Sequence, residues 1–201
     1  MGVPRYHPRV PRSFVTVVSG LPRSGTSMLM RMLEAGGIPP LTDRVREADD
    51  DNPKGYYELE AVKDLPARAG WLDEAGGSAV KVVSALLDRL PAGRSYRVVF
   101  LQRDLAEVLA SQKRMLERRG EPTDRVGDEA MAAMFRRHVA GVLERARGRA
   151  GMELLVVDHG DVMRDAREAA SRIDEFLGGG LDRDAMARAV DPALWRQRTS
   201  A

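Results

Sequence analysis

The chain contains no cysteine and only three histidines, and these absences exclude several kinds of site. Without cysteine there is no disulfide framework, no thiolate metal site and no cysteine nucleophile. His7, His138 and His159 lie too far apart in the sequence to form a local zinc motif. We therefore expect chemistry that needs neither a thiol nor a metal held by protein side chains alone.

Long apolar runs without charges are also lacking, so the sequence predicts no transmembrane helix. Three arginines precede the apolar stretch 14–21, but Thr16, Ser19 and Gly20 interrupt it and no small-residue cleavage site follows, so it does not resemble a secretory signal. We predict a cytoplasmic protein whose residues 1–12, rich in proline and arginine, form a flexible N-terminal arm.

Lysine is scarce, and neither sign of charge dominates. The 32 basic residues include only four lysines and face 30 acidic residues, which leaves a net charge of +2. This balance gives no support for nucleic acid binding. The length of 201 residues, 43% of them hydrophobic, favours a single domain over residues 13–201.

Four short, β-branched apolar runs predict buried parallel strands. They cover residues 14–18, 79–83, 97–101 and 154–157. Helical patterns lie between and after them, at 26–35, 58–69, 105–119, 128–147, 161–177 and 182–190. The alternation predicts a three-layer α/β fold with a mostly parallel central sheet flanked by helices.

The strongest signal is the junction of the first strand and first helix, Ser19-Gly20-Leu21-Pro22-Arg23-Ser24-Gly25-Thr26-Ser27. A glycine-containing turn that enters a helix presents backbone N–H groups and the positive end of the helix dipole to an anion. Arg23 adds a planar charge, and the nearby hydroxyl groups add donors. The spacing of Gly20 and Gly25 indicates a P-loop type of nucleotide site, but Thr26 stands where ATPases and GTPases require lysine.

A second candidate site follows the third strand. Arg103 lies at the predicted carboxyl end of this strand, where open α/β sheets bind ligands, and Ser111 lies about two turns along the next helix. The pair could hold a second anionic group. Alternatively, Arg103 forms a structural ion pair with a neighbouring carboxylate and Ser111 faces solvent.

These residues resemble a known family. The segment 22–27 resembles the 5′-phosphosulfate loop of sulfotransferases, in its arginine-bearing form, and the segment 103–111 is similar to the 3′-phosphate motif of that family. The similarity continues through Asn52-Pro53-Lys54-Gly55-Tyr56-Tyr57-Glu58 and through residues 154–178. Two features depart from the pattern: Leu105 replaces a proline, and Asp158-His159-Gly160-Asp161 replaces the common Arg-Tyr-Glu-Asp turn.

The resemblance implies transfer of a sulfuryl group from 3′-phosphoadenosine 5′-phosphosulfate (PAPS) to a hydroxyl or amine, without a metal. The acceptor would be a small molecule or carbohydrate, and its identity and the oligomeric state stay open. Two anion sites at neighbouring strand ends fit a nucleotide that is phosphorylated at both 5′ and 3′ positions. The residues implied in binding it are Pro22, Arg23, Ser24, Gly25, Thr26, Ser27, Arg103 and Ser111.

Three residues are candidates for catalysis. Arg23 would stabilise charge on the leaving oxygen, and Lys81 would either support the transferring sulfonate or extend from a strand edge to solvent. Glu58 would be the general base or an ordinary residue at a helix start. His159 is the rival base, with a hydrogen-bonded turn residue as the alternative.

Two other functions stay open at this point. One is a magnesium-dependent P-loop kinase that uses Asp158 as the metal carboxylate, against which the missing loop lysine counts. The other is a non-catalytic nucleotide-binding protein of the same fold. Glu58 or His159 beside the first loop would favour an enzyme. His138 is expected in solvent, and Trp195 is expected to be a packing residue.

Overall fold

The computed structural model describes residues 13–43, 55–123 and 126–195. The predicted arm, residues 1–12, and Asn52-Pro53-Lys54 lie outside the described residues. The strands are β1 (Val15–Gly20), β2 (Ala79–Lys81), β3 (Tyr96–Gln102) and β4 (Met152–Asp158). The α-helices are α1 (Thr26–Ala35), α2 (Leu105–Arg118), α3 (Asp128–Arg147), α4 (His159–Arg164), α5 (Ala166–Phe176) and α6 (Arg183–Arg188).

The strands form a parallel sheet in the order β2-β1-β3-β4. The chain passes from β1 to β2 on one side and then returns to place β3 on the other side of β1. The strand order therefore reverses between β1 and β3, and ligands bind at such a point in open α/β sheets. The predicted α/β class and the parallel sheet are confirmed.

Alternating strand residues enter two hydrophobic clusters, one on each face of the sheet. In β3, Val98 and Phe100 belong to the cluster that contains α3, whereas Val99 and Leu101 belong to the cluster that contains α1, α5 and α6. Since both faces of β1 and β3 are covered, the middle of each strand is mostly apolar and appears in the sequence as a continuous run. The prediction of a buried strand at 154–157 is wrong in part, because β4 lies at the edge of the sheet and residues 154–156 are half-buried. Because β1 and β3 are parallel neighbours, the loop that follows β1 and the segment that follows β3 lie side by side at the carboxyl edge of the sheet.

Two helix predictions are wrong in part. The segment 58–69 contains only the short 3₁₀ turn Glu60–Val62 and further turns, because Pro66 has no N–H to donate and its ring blocks a continuing helix. The segment 161–177 is divided between α4 and α5 at Asp165, whose φ of −140° is not helical. The Asp165 side chain instead accepts a hydrogen bond from Glu168 N and caps α5.

The helices also bear on the prediction that the chain has no transmembrane helix. In the part of the chain that the structure describes, every helix is too short or too polar to cross a bilayer.

Candidate functional site

The loop between β1 and α1 is shaped by two glycines that have no room for a side chain. A Cβ on Gly20, whose φ is +154°, would lie 2.6 Å from the carbonyl oxygen of Leu101 in β3. A Cβ on Gly25, whose φ is +97°, would lie 2.8 Å from Cδ2 of His159. Gly25 also precedes α1 directly, so the loop follows the sheet edge closely and leads into the helix N-terminus.

Arg23 has a left-handed backbone in this loop, with φ of 71°, which is an uncommon conformation for a residue with a side chain. Its Nε donates a hydrogen bond to Ser111 Oγ of α2 at 3.0 Å. Its carbonyl oxygen accepts a hydrogen bond from the Arg103 guanidinium at 3.2 Å. The structure therefore brings together the two candidate sites that the sequence places 80 residues apart, and strained backbone of this kind is often found at functional sites.

Arg103 also forms a buried ion pair, as the structural alternative for this residue predicts. Its Nε donates to Glu107 Oε2 at 2.8 Å, and the two side chains are 9% and 5% exposed. The same carboxylate oxygen accepts a hydrogen bond from Trp195 Nε1 at 2.8 Å. Asp104, the carboxylate next to Arg103, instead caps α2 by accepting from Glu107 N. Arg103 is thus both beside the loop and ion-paired.

The sequence-based prediction of the site did not include Glu107, and it gave Trp195 only a packing role. Glu107 had a usable signal, because it lies four residues after Arg103 in the first turn of α2, and residues four apart at a helix start can be neighbours. Trp195 had none, because 88 residues separate it from Glu107. Its ring also meets the ring of His159 edge-on, with centroids 5.8 Å apart.

Lys81 and Glu58, two of the predicted catalytic residues, lie next to each other. Lys81 Nζ is 3.7 Å from Glu58 Oε1, and the lysine side chain is only 9% exposed. The ammonium also lies 5.8 Å from the centre of the Tyr56 ring. Lys81 is the last residue of β2 and is in register with Val18 of β1, so this pair lies near the carboxyl edge of the sheet.

His159 is buried directly behind the first loop, against Gly25. Burial, together with the positive charge of Arg103, lowers the pKa of His159 to about 4, although Glu107 opposes the shift. Its Nδ1 is buried and makes no hydrogen bond within the described part of the chain. The ring is therefore neutral at pH 7, and its low pKa makes it a weak proton acceptor.

The hydroxyl and proline positions of the loop differ in exposure. Pro22 is exposed, Thr26 and Ser27 are half-buried, and Ser24 is 1% exposed. Ser24 N donates to Leu21 O, and its Oγ is buried without a hydrogen-bond partner among the described residues. An anion in this loop would meet backbone and half-buried groups, and Ser24 lines the cleft beside the loop.

A cleft of about 400 Å³ opens beside the loop, between the end of β3 and helix α3. The loop contributes Leu21 and Ser24, and the end of β3 contributes Gln102 and Arg103. Arg136 and Arg147 of α3 line the opposite wall. Most of the other lining residues are apolar, for example Phe100 and Leu143, so the cleft suits a ligand with both anionic and apolar parts.

Two further sequence expectations can be compared with the structure. His138 is not in solvent alone, because its Nε2 lies 2.9 Å from Oγ of the buried Ser84, the first residue of the 3₁₀ helix Ser84–Arg89. Asp158, the metal carboxylate of the kinase alternative, caps α4 by accepting a hydrogen bond from Asp161 N at 3.0 Å.

No protein-family model matches the sequence, and no curated protein matches it significantly. Solved structures do match. A sulfotransferase domain from the olefin synthase of Synechococcus PCC 7002 has a TM-score of 0.57 at 17% identity, covering 98% of this chain and 92% of that chain.

Two other structures give the same fold. A sulfotransferase from Mycobacterium tuberculosis H37Rv has a TM-score of 0.58 at 18% identity, over 93% of this chain and 76% of that chain. A mouse sulfotransferase complexed with PAP has a TM-score of 0.53 at 15% identity, over 89% of this chain and 64% of that chain. The chain therefore has the sulfotransferase fold, and the resemblance that its motifs indicated is confirmed at the level of the fold.

Proposed function

We propose that this chain, which has the sulfotransferase fold, is a sulfotransferase that takes the sulfuryl group from PAPS. One observation carries the proposal. Arg23, Ser111 and Arg103 come together at the carboxyl ends of β1 and β3, the point where the strand order reverses. A similar fold alone would not require these side chains to meet.

The nucleotide would be held at its two phosphate-bearing ends. Backbone N–H groups of the loop and the N-terminus of α1, with Thr26 and Ser27, would hold the 5′ end. Arg103 and Ser111 would hold the 3′-phosphate. The mouse neighbour is a complex with PAP, the adenosine 3′,5′-bisphosphate that remains when PAPS has lost its sulfuryl group, and this supports PAPS as the donor.

The reaction needs three contributions from the protein. An acceptor oxygen attacks the sulfur while the bond between sulfur and the 5′-phosphate oxygen breaks, and the acceptor loses a proton. Arg23 would stabilise the charge that develops on the leaving phosphate oxygen. Glu58 would take the proton, and Lys81, 3.7 Å away, would orient that carboxylate and support the sulfonate.

Glu58 is more accessible to an acceptor than His159. Its side chain is 28% exposed, so an acceptor can approach it, whereas His159 is buried. We therefore assign His159 a packing role behind the loop, against Gly25.

The kinase alternative is not favoured. Thr26 stands in place of the loop lysine, and the carboxylate of Asp158 caps a helix. The acceptor that we propose is a hydroxyl or amine on a small molecule or carbohydrate. A cytoplasmic location and a single domain over residues 13–201 stay predictions from the sequence.

A thermal-shift comparison tests the proposal. Adenosine 3′,5′-bisphosphate without metal should raise the melting temperature, and at 100 times its dissociation constant mass action gives about 2.7 kcal/mol of stabilisation. AMP, which lacks the 3′-phosphate, should stabilise less at equal concentration. Stabilisation by ATP with magnesium but not by the bisphosphate would overturn the proposal.

A further inference from the structure

The ion pair between Arg103 and Glu107 has a consequence for nucleotide selectivity. The carboxylate is 5% exposed, and one of its oxygens accepts hydrogen bonds from both Arg103 Nε and Trp195 Nε1. The Glu107 carboxylate is held in place by two donors, the charged guanidinium of Arg103 and the indole N–H of Trp195. The arginine that faces the loop therefore has a fixed negative charge within 2.8 Å of its guanidinium.

The negative charge of Glu107 reduces the electrostatic attraction that an arginine normally exerts on a bound anion. The pair is neutral as a unit, and a phosphate that approaches Arg103 also approaches Glu107. The Glu107 carboxylate and the phosphate repel each other. This repulsion is strong at short distance because few water molecules screen it where Arg103 and Glu107 are buried. Arg103 can still donate hydrogen bonds to the phosphate, but with less Coulombic attraction than an unpaired arginine.

We propose that Glu107 is a positioning and selectivity residue that, through Arg103, limits how tightly the site holds the 3′-phosphate. This inference rests on the proposed function. The 3′-phosphate takes no part in bond breaking, so Glu107 weakens donor and product nucleotide alike. Uniform weakening of this kind raises KM and speeds release of the product without changing the chemical step.

The test is Glu107→Gln, because glutamine keeps an oxygen that can accept from Arg103 and Trp195 while it removes the charge. Calorimetric titration of adenosine 3′,5′-bisphosphate and AMP gives the ratio of their affinities. We expect the ratio in favour of the bisphosphate to rise on the order of tenfold, the usual scale for one close charge. AMP binding should hardly change. Glu117→Gln, the same change at an exposed position on α2, is the matched control and should leave the ratio unchanged.

A purely structural role for Glu107 gives the opposite result. If the carboxylate only supports the loop, the glutamine variant loses affinity for AMP and the bisphosphate together, and the ratio stays the same or falls. That result overturns the inference. It leaves the proposed function intact as long as the parent protein prefers the bisphosphate, whereas a parent without that preference contradicts the proposed function itself.

A second variant decides the question if Glu107→Gln fails to fold. Trp195→Phe keeps an aromatic ring but removes the N–H that Glu107 Oε2 accepts. The carboxylate then repels the phosphate more strongly, so the ratio in favour of the bisphosphate should fall a few-fold. An unchanged or increased ratio in this variant overturns the inference.

Discussion

Replacing Gly25 by alanine tests whether the loop is shaped by its contact with His159. The new Cβ meets two separate obstacles. The backbone φ of +97° is unfavourable for a side chain, which costs about 1–2 kcal/mol. The Cβ would also lie 2.8 Å from Cδ2 and 3.3 Å from Nε2 of His159, and forcing a buried ring to move adds about 1–3 kcal/mol. The expected loss of unfolding free energy is therefore about 2–5 kcal/mol.

Gly37 provides a matched control on the other end of α1. Its φ of +103° is nearly the same, but no atom lies within 4 Å of the position that its Cβ would take. Gly37→Ala should therefore cost only the backbone term, about 1–2 kcal/mol. The difference between the two variants, measured by urea denaturation, isolates the contact with His159.

A double-mutant cycle gives the decisive measurement. In a His159→Ala background the ring is gone, so Gly25→Ala should cost about as much as Gly37→Ala does in the parent. Equal costs for Gly25→Ala and Gly37→Ala in the parent, or a cost for Gly25→Ala that His159→Ala does not reduce, would refute the contact. Nucleotide titrations of the same variants then show whether loop shape controls binding.

Four further predictions follow from the site. Arg23→Ala should abolish transfer while leaving nucleotide binding weakened but measurable, since charge on the leaving oxygen grows only in the transition state; full turnover would exclude this role. Ser111→Ala should reduce affinity for adenosine 3′,5′-bisphosphate by about 0.5–1.5 kcal/mol and spare AMP in calorimetry; equal losses would indicate a structural role. Glu58→Gln should lower kcat on the order of 10²-fold with little change in bisphosphate affinity, whereas unchanged kcat would point to another base. Because the pKa of His159 falls from 6.5 unfolded to about 4 folded, the unfolded chain binds more protons between these values. Stability should decline by roughly 3 kcal/mol as pH falls from 6.5 to 4, and His159→Gln should reduce this slope in urea titrations at several pH values.

Local patterns in the sequence determined the sheet and the first loop. Central strands that helices cover on both faces are mostly apolar, so the runs around Val17 and Val99 could be recognised without knowing their neighbours. The run around Val156 was recognised in the same way, although it forms an edge strand. Gly20 and Gly25 could be recognised from their spacing between a predicted strand and a predicted helix. The structure gives the physical reason for both glycines, since neither position has room for a side chain. Helix α1, with bounds of 26–35, was also predicted correctly.

Contacts between distant residues were decided only by the tertiary structure. The two helix errors, in contrast, have local causes, because Pro66 cannot continue a helix and the Asp165 side chain caps α5. No local pattern indicates that Trp195 donates to Glu107 across 88 residues, or that Lys81 meets Glu58. Side chains such as Arg103 can pair with a carboxylate, a carbonyl or a phosphate, and the choice depends on which groups the fold brings within hydrogen-bond distance.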